Sequence, residues 1–388
     1  MNIKAELDEL QAQFFGPERA ASLGKLGEIV TRASGGTVAE RGEAMRELVA
    51  RVDHEHVGYA AYLALAAGAL VEAGESAVAL GRALAVPLKR ALINAARMFE
   101  YIAPFPDADE EADEDEEEHD HEHDDDEPDH DGFTIGSKWL TREQLDEIAD
   151  RDVAAVQAWF SLEMWYRPAV AAWTREPEVL RAHQADAAMR AAIAELGGAT
   201  ETSAWLTLLI ETLYDAKLVF LVPELGEAWS VIADGVVDIG QLSVLVSQAL
   251  ADPLARIGAS VAGEDIRSVM SGEGPQQSDA AYECTFHCYP AQAVGADGMP
   301  RDDVYEWSAP GGTGTHSLPP DFLPGTIEAI DGARLLVLVG PRSPGMRFSR
   351  VISAVRTFDA LAASVRSPTR LPADQVARWA SLARDRAV

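Results

Sequence analysis

His119, His121 and His123 alternate with carboxylates in a His-Asp-His-Glu-His run. Imidazoles two residues apart on an extended segment can close around one Zn, Ni, Co or Cu ion, because borderline transition metals favour nitrogen ligands. Ligands on a segment without a packed core must be ordered on binding and enforce no single geometry, so this chemistry predicts weak, unselective binding of Zn or Ni. The surrounding tract also has a plainer reading. Residues 107 to 131 hold eighteen Asp or Glu and four His, with no Lys or Arg. Such a stretch repels itself and has nothing to bury. It is expected to be a solvated, disordered insert whose histidines belong to a low-complexity tract, and this outweighs chelation. The expectation carries a corollary: the insert is dispensable for folding.

Asp53-His54-Glu55-His56 offers a second His-x-His pair, placed just before an apolar run. A metal site there needs a third and fourth ligand from elsewhere, so the stronger expectation is a helix cap in which Asp53 accepts amide hydrogen bonds from the first turn. Cys284 and Cys288 flank Phe286 and His287. On a strand the two sulfurs lie about 13 Å apart and His287 points to the opposite face, which excludes a shared metal or a disulfide. Buried reduced thiols are expected. Gly311-Gly312-Thr313-Gly314-Thr315-His316 lacks the lysine and following helix of a phosphate cradle and reads as a loop. Glu211 and Asp215, four residues apart on an expected helix, share a face with Lys217 nearby to offset them, and no catalytic role is assigned to them. The chain contains no His-Glu-x-x-His, no Gly-x-Ser-x-Gly, no P-loop and no dinucleotide-binding glycine fingerprint.

A charge reversal near the C-terminus is more informative. From Gly332 to Pro372 there are seven arginines and one acid, Asp359. Guanidinium groups capture carboxylate or phosphate in a bidentate fork. Arg342, Arg347 and Arg350 are therefore candidates for holding a small anionic ligand, or the chain's own acidic insert. The competing expectation, given slightly more weight, is that the seven are scattered over a surface and pair one by one with acids.

The formal net charge of −32 comes from 64 acidic and 32 basic residues, and without the eighteen acids of the insert it is still −14. That sign argues against general nucleic-acid binding. Two cysteines in 388 residues give no disulfide framework, and the opening Met1-Asn2-Ile3-Lys4 lacks an apolar signal core, so a reduced, cytoplasmic protein is expected. The longest uncharged run, Val57 to Val71, is fifteen residues rich in Ala and Gly, too short for a bilayer span and better suited to a fully buried helix.

The pattern that must position these residues is mainly helical at first. Ile3, Leu7, Leu10 and Phe14 form one stripe; Val38, Met45, Leu48, Val49 and Val52 form another. Ala60, Ala64 and Gly68 give the central helix a small face that lets a neighbour approach closely. A helix or helix pair is expected over residues 76 to 102, with a kink at Pro87. After the insert, Thr141 with Gln144 has capping-box spacing, and a stripe through Val153, Val156, Trp159, Phe160 and Trp165 is interrupted at Pro168. One further helix is expected from Pro177 to Gly197, and another through Trp205, Leu208, Leu209 and Leu213. Beyond about residue 218 the texture turns to strands, at Leu218 to Val222, Trp229 to Val237, Tyr282 to Tyr289, Val304 to Ser308 and Leu335 to Val339. Asp238 and Gln241 are placed to cap a helix between them, and Asp374 to Arg384 to close the chain as a helix.

The expected architecture is a helical bundle or set of helical hairpins followed by a small mixed sheet with helices. Its parts are an N-terminal helical module (1–105), the acidic insert (106–133), a second helical segment packing with the first (134–217) and an α+β domain (218–388). The expected function is a non-enzymatic interaction or regulatory protein with a protein partner. The alternative is an enzyme whose arginine cluster holds an anionic substrate in an interdomain cleft.

Overall fold

The computed structural model describes residues 3–17, 19–105, 132–135, 137–197, 201–259, 261, 264–272, 304–309, 322–342 and 361–386. The chain divides into two compact units, one ending at Ile210 and the other beginning at Glu211. The first is mainly helical and the second mixes helices with a sheet.

In the first unit, α1 (Ile3–Phe14) buries all four residues of its stripe. α2 spans Arg19–Ser34 and α3 Val38–Val49. Thr37 and Glu40 close a reciprocal capping box at the start of α3. Val38, assigned inward by the sequence pattern, is exposed, because it is the first residue of the helix; Met45, Leu48 and Val52 are buried. α4 (Val57–Glu72) is the central helix and is covered along most of its length. Where a kink was expected at Pro87, the chain breaks at Leu84 between α5 (Val78–Ala83) and α6 (Ala85–Ile102). Pro87 then falls in the first turn of α6, where its missing N–H would have had no intrahelical partner.

A two-stranded hairpin, β1 (Gly132–Ile135) and β2 (Lys138–Thr141), leads into α7 (Arg142–Trp173). Thr141 and Gln144 make the expected capping box, with the Gln144 N–H donating to Thr141 Oγ1 at 3.3 Å and the Thr141 N–H to Gln144 Oε1 at 2.8 Å. α7 runs through Pro168 rather than stopping there. The proline packs against Gly68 of α4: a Cβ at Gly68 would lie 2.9 Å from both Cα and Cβ of Pro168. The bend in α7 is at Asp152 (φ −152°, ψ 72°), whose carboxylate accepts the Ala155 N–H and restarts the helix. The single helix expected after Pro177 is two, α8 (Pro177–Ala185) and α9 (Ala187–Glu195). Asp186 divides them, its carboxylate accepting the N–H groups of Ala188 and Met189. α10 (Glu201–Ile210) ends the unit.

In the second unit, β3 (Ala216–Val222) and β4 (Glu227–Asp234) form an antiparallel pair, followed by α11 (Ile239–Ala249), α12 (Ala251–Arg256) and α13 (Glu264–Ser271). Then come β5 (Val304–Ser308), β6 (Ala329–Ile330), β7 (Ala333–Arg342), β8 (Ser364–Arg370) and α14 (Ala373–Asp385). The sheet order is β5-β7-β3-β4-β8 with β6 beside β7, and only the β3–β7 pair is parallel. β3 is buried on both faces, as its unbroken apolar run requires. Leu218, Phe220 and Val222 share a core with Leu242 and Val246 of α11, while Val219 and Leu221 share another with Trp379 of α14.

Asp238 accepts the Gln241 N–H as the sequence indicates, and Gln241 in turn accepts from Val237 N–H and donates to the Met270 carbonyl. β4 stops at Asp234, short of the expected Val237, because Gly235 takes a left-handed conformation (φ +67°) in which a Cβ would lie 2.1 Å from the Ala362 carbonyl oxygen. Glu211 and Asp215 are not a helical pair: α10 ends before them, and Asp215 has φ +47°. The strand expected at Tyr282 to Tyr289 lies outside the described residues.

Candidate functional site

His119, His121, His123, Arg347 and Arg350 lie outside the described residues, as do Cys284, Cys288 and the Gly311 to His316 loop; Arg342 ends β7 and only its backbone is described. Three other arginines of the C-terminal group are described, and they do not converge. Arg334 donates to the Gly325 carbonyl at 3.1 Å, Arg366 pairs with Asp215 at 2.7 Å, and Arg370 pairs with Glu227 at 2.5 Å.

The two elements that border the acidic run in sequence are α6 before it and the β1–β2 hairpin, leading into α7, after it. α6 packs along α7 through a small polar network at the bend. Arg97 and Tyr101 both donate to the Asp152 carboxylate, at 3.1 and 3.3 Å, and Phe99 meets Trp159 edge-on with ring centroids 5.5 Å apart. Each helix keeps an apolar pair two turns apart on its open side. Val86 and Ile93 on α6, and Val153 and Phe160 on α7, are four of the seven large apolar residues left exposed among the described residues. Phe133 of β1 meets Phe160 edge-on at 5.7 Å, so the first side chains after the acidic run extend an aromatic surface that remains half open to solvent.

A second cluster gathers at the start of α4. The cap is His56, not Asp53 as the sequence suggested: the Tyr59 N–H donates to His56 Nδ1 at 3.1 Å, and the His56 N–H donates to His54 Nδ1 at 3.0 Å. Both Nδ1 atoms therefore act as acceptors of backbone N–H groups. Asp53 instead pairs with Arg90 at 3.2 Å, and Arg90 also donates to the His54 carbonyl. Phe15 stacks on His54 (5.5 Å, 22°), and Phe14 packs on Tyr59 at 4.9 Å. Burial pushes the Tyr59 hydroxyl up to about 12. No group of three or more His, Cys, Asp or Glu able to hold a metal occurs among the described residues. This corner fixes the central helix, and His56→Ala is expected to cost about 1 kcal/mol in urea unfolding, with His56→Asn recovering most of it. Equal stability of wild type and His56→Ala would show that the cap contributes nothing.

Among the described residues no helix is long and apolar enough to cross a membrane. No family model, no curated protein and no solved structure matches the chain.

Proposed function

We propose that this chain is a non-catalytic binding protein that docks a cationic, amphipathic polypeptide segment. One observation carries the reading: the eighteen-acid run of residues 107 to 131 is bordered in sequence by α6 and by the hairpin leading into α7, and the two helices α6 and α7 hold four of the seven exposed large apolar side chains of the described residues. Acid and apolar surface together suit a segment with Lys or Arg on one face and large apolar side chains on the other. The negative run draws the segment in and sets its approach rate; the Phe133–Phe160 surface supplies apolar contact that charge alone lacks. The rest of the chain, still −14 without the run, adds long-range attraction for the same class of partner.

The experiment is a titration of a labelled Lys/Leu amphipathic helical peptide by fluorescence anisotropy, beside a Glu/Leu peptide of the same length. The Lys/Leu peptide is expected to bind and the Glu/Leu peptide not. Deleting residues 107 to 131 should weaken binding about tenfold or more, as should raising salt from about 0.05 to 0.5 M, where charges are screened within a few ångströms. Phe160→Ser should weaken binding further while leaving the salt dependence unchanged. Equal affinity of the deletion variant and the intact chain would sink the proposal.

A further inference from the structure

Glu227 opens β4 and is only 5% exposed, yet it carries a carboxylate that two cations share. Arg256, the last residue of α12, grips it bidentately: Nη1 donates to Oε2 at 2.8 Å and Nη2 to Oε1 at 3.0 Å. Arg370, the last residue of β8, donates from Nη2 to the same Oε1 at 2.5 Å. The fold brings the three together because β8 pairs antiparallel with β4, Arg370 opposite Trp229, which sets Arg370 beside the start of β4. The Arg256 fork, with Arg370 adding to it, holds the Glu227 carboxyl below the usual range, so it is ionised at neutral pH.

One negative charge meets two positive ones, and the group keeps a surplus of one positive charge inside a chain of −32. The arrangement is also directional. The carboxylate side chain is 7% exposed, whereas those of Arg256 and Arg370 are 52% and 63% exposed, so the anion lies behind and the guanidinium groups face solvent. Two guanidinium groups on one oxygen repel each other, and only an anion on their open side would complete the balance. Their outward N–H donors have no acceptor among the described residues. Arg366, on the same strand, is the contrasting case: it pairs one-to-one with Asp215 and leaves no surplus.

We propose that Arg256 and Arg370, held side by side by Glu227, form an oxyanion site that takes a phosphate group. A tetrahedral phosphate presents two oxygens to two adjacent guanidinium forks, the geometry in which arginine surpasses lysine. Glu227 is a positioning residue: it fixes both side chains before the ligand arrives, so less ordering entropy is lost on binding. The phosphate can be free or part of a phosphomonoester.

Inorganic phosphate and phenyl phosphate are titrated into the full chain at low ionic strength by calorimetry. Both should bind saturably at one site; tighter phenyl phosphate binding identifies a monoester ligand, and equal binding identifies the free ion. Arg370→Ala should weaken binding about tenfold, the usual scale for a charge-assisted hydrogen bond. Arg370→Lys and Arg256→Lys keep the charge and an ion pair with Glu227 but lose the planar fork, and should also bind more weakly. They serve in place of the alanine variant if it does not fold. Arg366→Ala should bind as wild type does. The site is refuted if wild type gives no saturable heat, if both lysine variants bind with wild-type affinity, or if Arg366→Ala loses as much affinity as Arg370→Ala.

Discussion

Gly68→Leu is expected to destabilise the helical unit by about 3 kcal/mol, read as a lower urea midpoint for the loss of helical circular dichroism. The reason lies in what a side chain would meet. Even a Cβ at this position would lie 2.9 Å from Cα and Cβ of Pro168, closer than such atoms approach. α4 is buried along most of its length and cannot move outward without opening contacts on its other sides. Gly27→Ala is the counter-case: Gly27 is exposed within α2 and a Cβ there meets nothing within 4 Å, so the change should stabilise by about 0.5 to 1 kcal/mol through helix propensity alone. Pro168→Ala should not rescue Gly68→Leu, because the clash is with atoms that alanine retains. Full rescue would show that the pyrrolidine ring, not the backbone, sets the spacing.

That contact also marks how far the sequence can be read. The small face of α4 was legible, since Ala60, Ala64 and Gly68 recur at helical spacing whatever they pack against. So were the α1 stripe, the Thr141–Gln144 and Asp238–Gln241 caps and the change to strands near residue 218, each of which depends on neighbours in sequence. The passage of α7 through Pro168 was not legible, because a proline inside a helical stripe reads locally as a break, and neither was its packing against a glycine one hundred residues earlier. Asp152 and Asp186 were missed for a related reason: each starts a helix inside a stretch whose apolar period continues across it. The hairpin before α7 did leave a signal, the Gly136-Ser137 dipeptide between two short apolar stretches, which the acidic run beside it obscured. At the start of α4 the residue types were legible, but not which of them caps. Asp53 has the better intrinsic preference, and the Arg90 guanidinium draws it away.

The candidate sites follow the same rule. The acidic run is visible in composition alone, but the apolar surface of α6 and α7 is not. Val153 and Phe160 belong to the same sequence stripe as the buried Trp159 and Trp165, and only packing decides which of them stay open. The Arg256–Glu227–Arg370 group joins residues 29 and 143 positions apart, beyond any local pattern. Its one trace was the arginine-rich stretch that contains Arg370. The surplus of that stretch suggested an anion, while the partners of Arg334 and Arg366 show that most of its described members are tied elsewhere.

Trp173→Ala is expected to cost about 3 kcal/mol and to flatten the acid dependence of the helical unit. The indole is fully buried, and removing so large a side chain from a packed core leaves a cavity that its surroundings cannot fill. Its Nε1 has no hydrogen-bond partner among the described residues, so truncation breaks no such bond and the cost stays near the lower end for tryptophan. Trp173 also stacks on His183 (4.4 Å, 30°), whose Nε2 lies 3.1 Å from the Gly81 carbonyl and donates to it as the neutral ring. Burial pushes His183 below the usual histidine range; the Gly81 carbonyl and Asp186 pull it back, and Lys89 adds to the depression. A folded-state value below the unfolded one means that the unfolded chain takes up the proton first. Stability is therefore fully present above the ordinary value of about 6.5 and falls as pH drops from there toward the folded value. In Trp173→Ala, water reaches the imidazole and the depression shrinks, so the stability lost between about pH 7.5 and 5.5 should be smaller than in wild type. Urea unfolding at those two values gives the slope, and the His183 Cε1–H shift by NMR gives the titration directly. An unchanged slope with an unchanged titration would place the cause of the depression somewhere other than the indole.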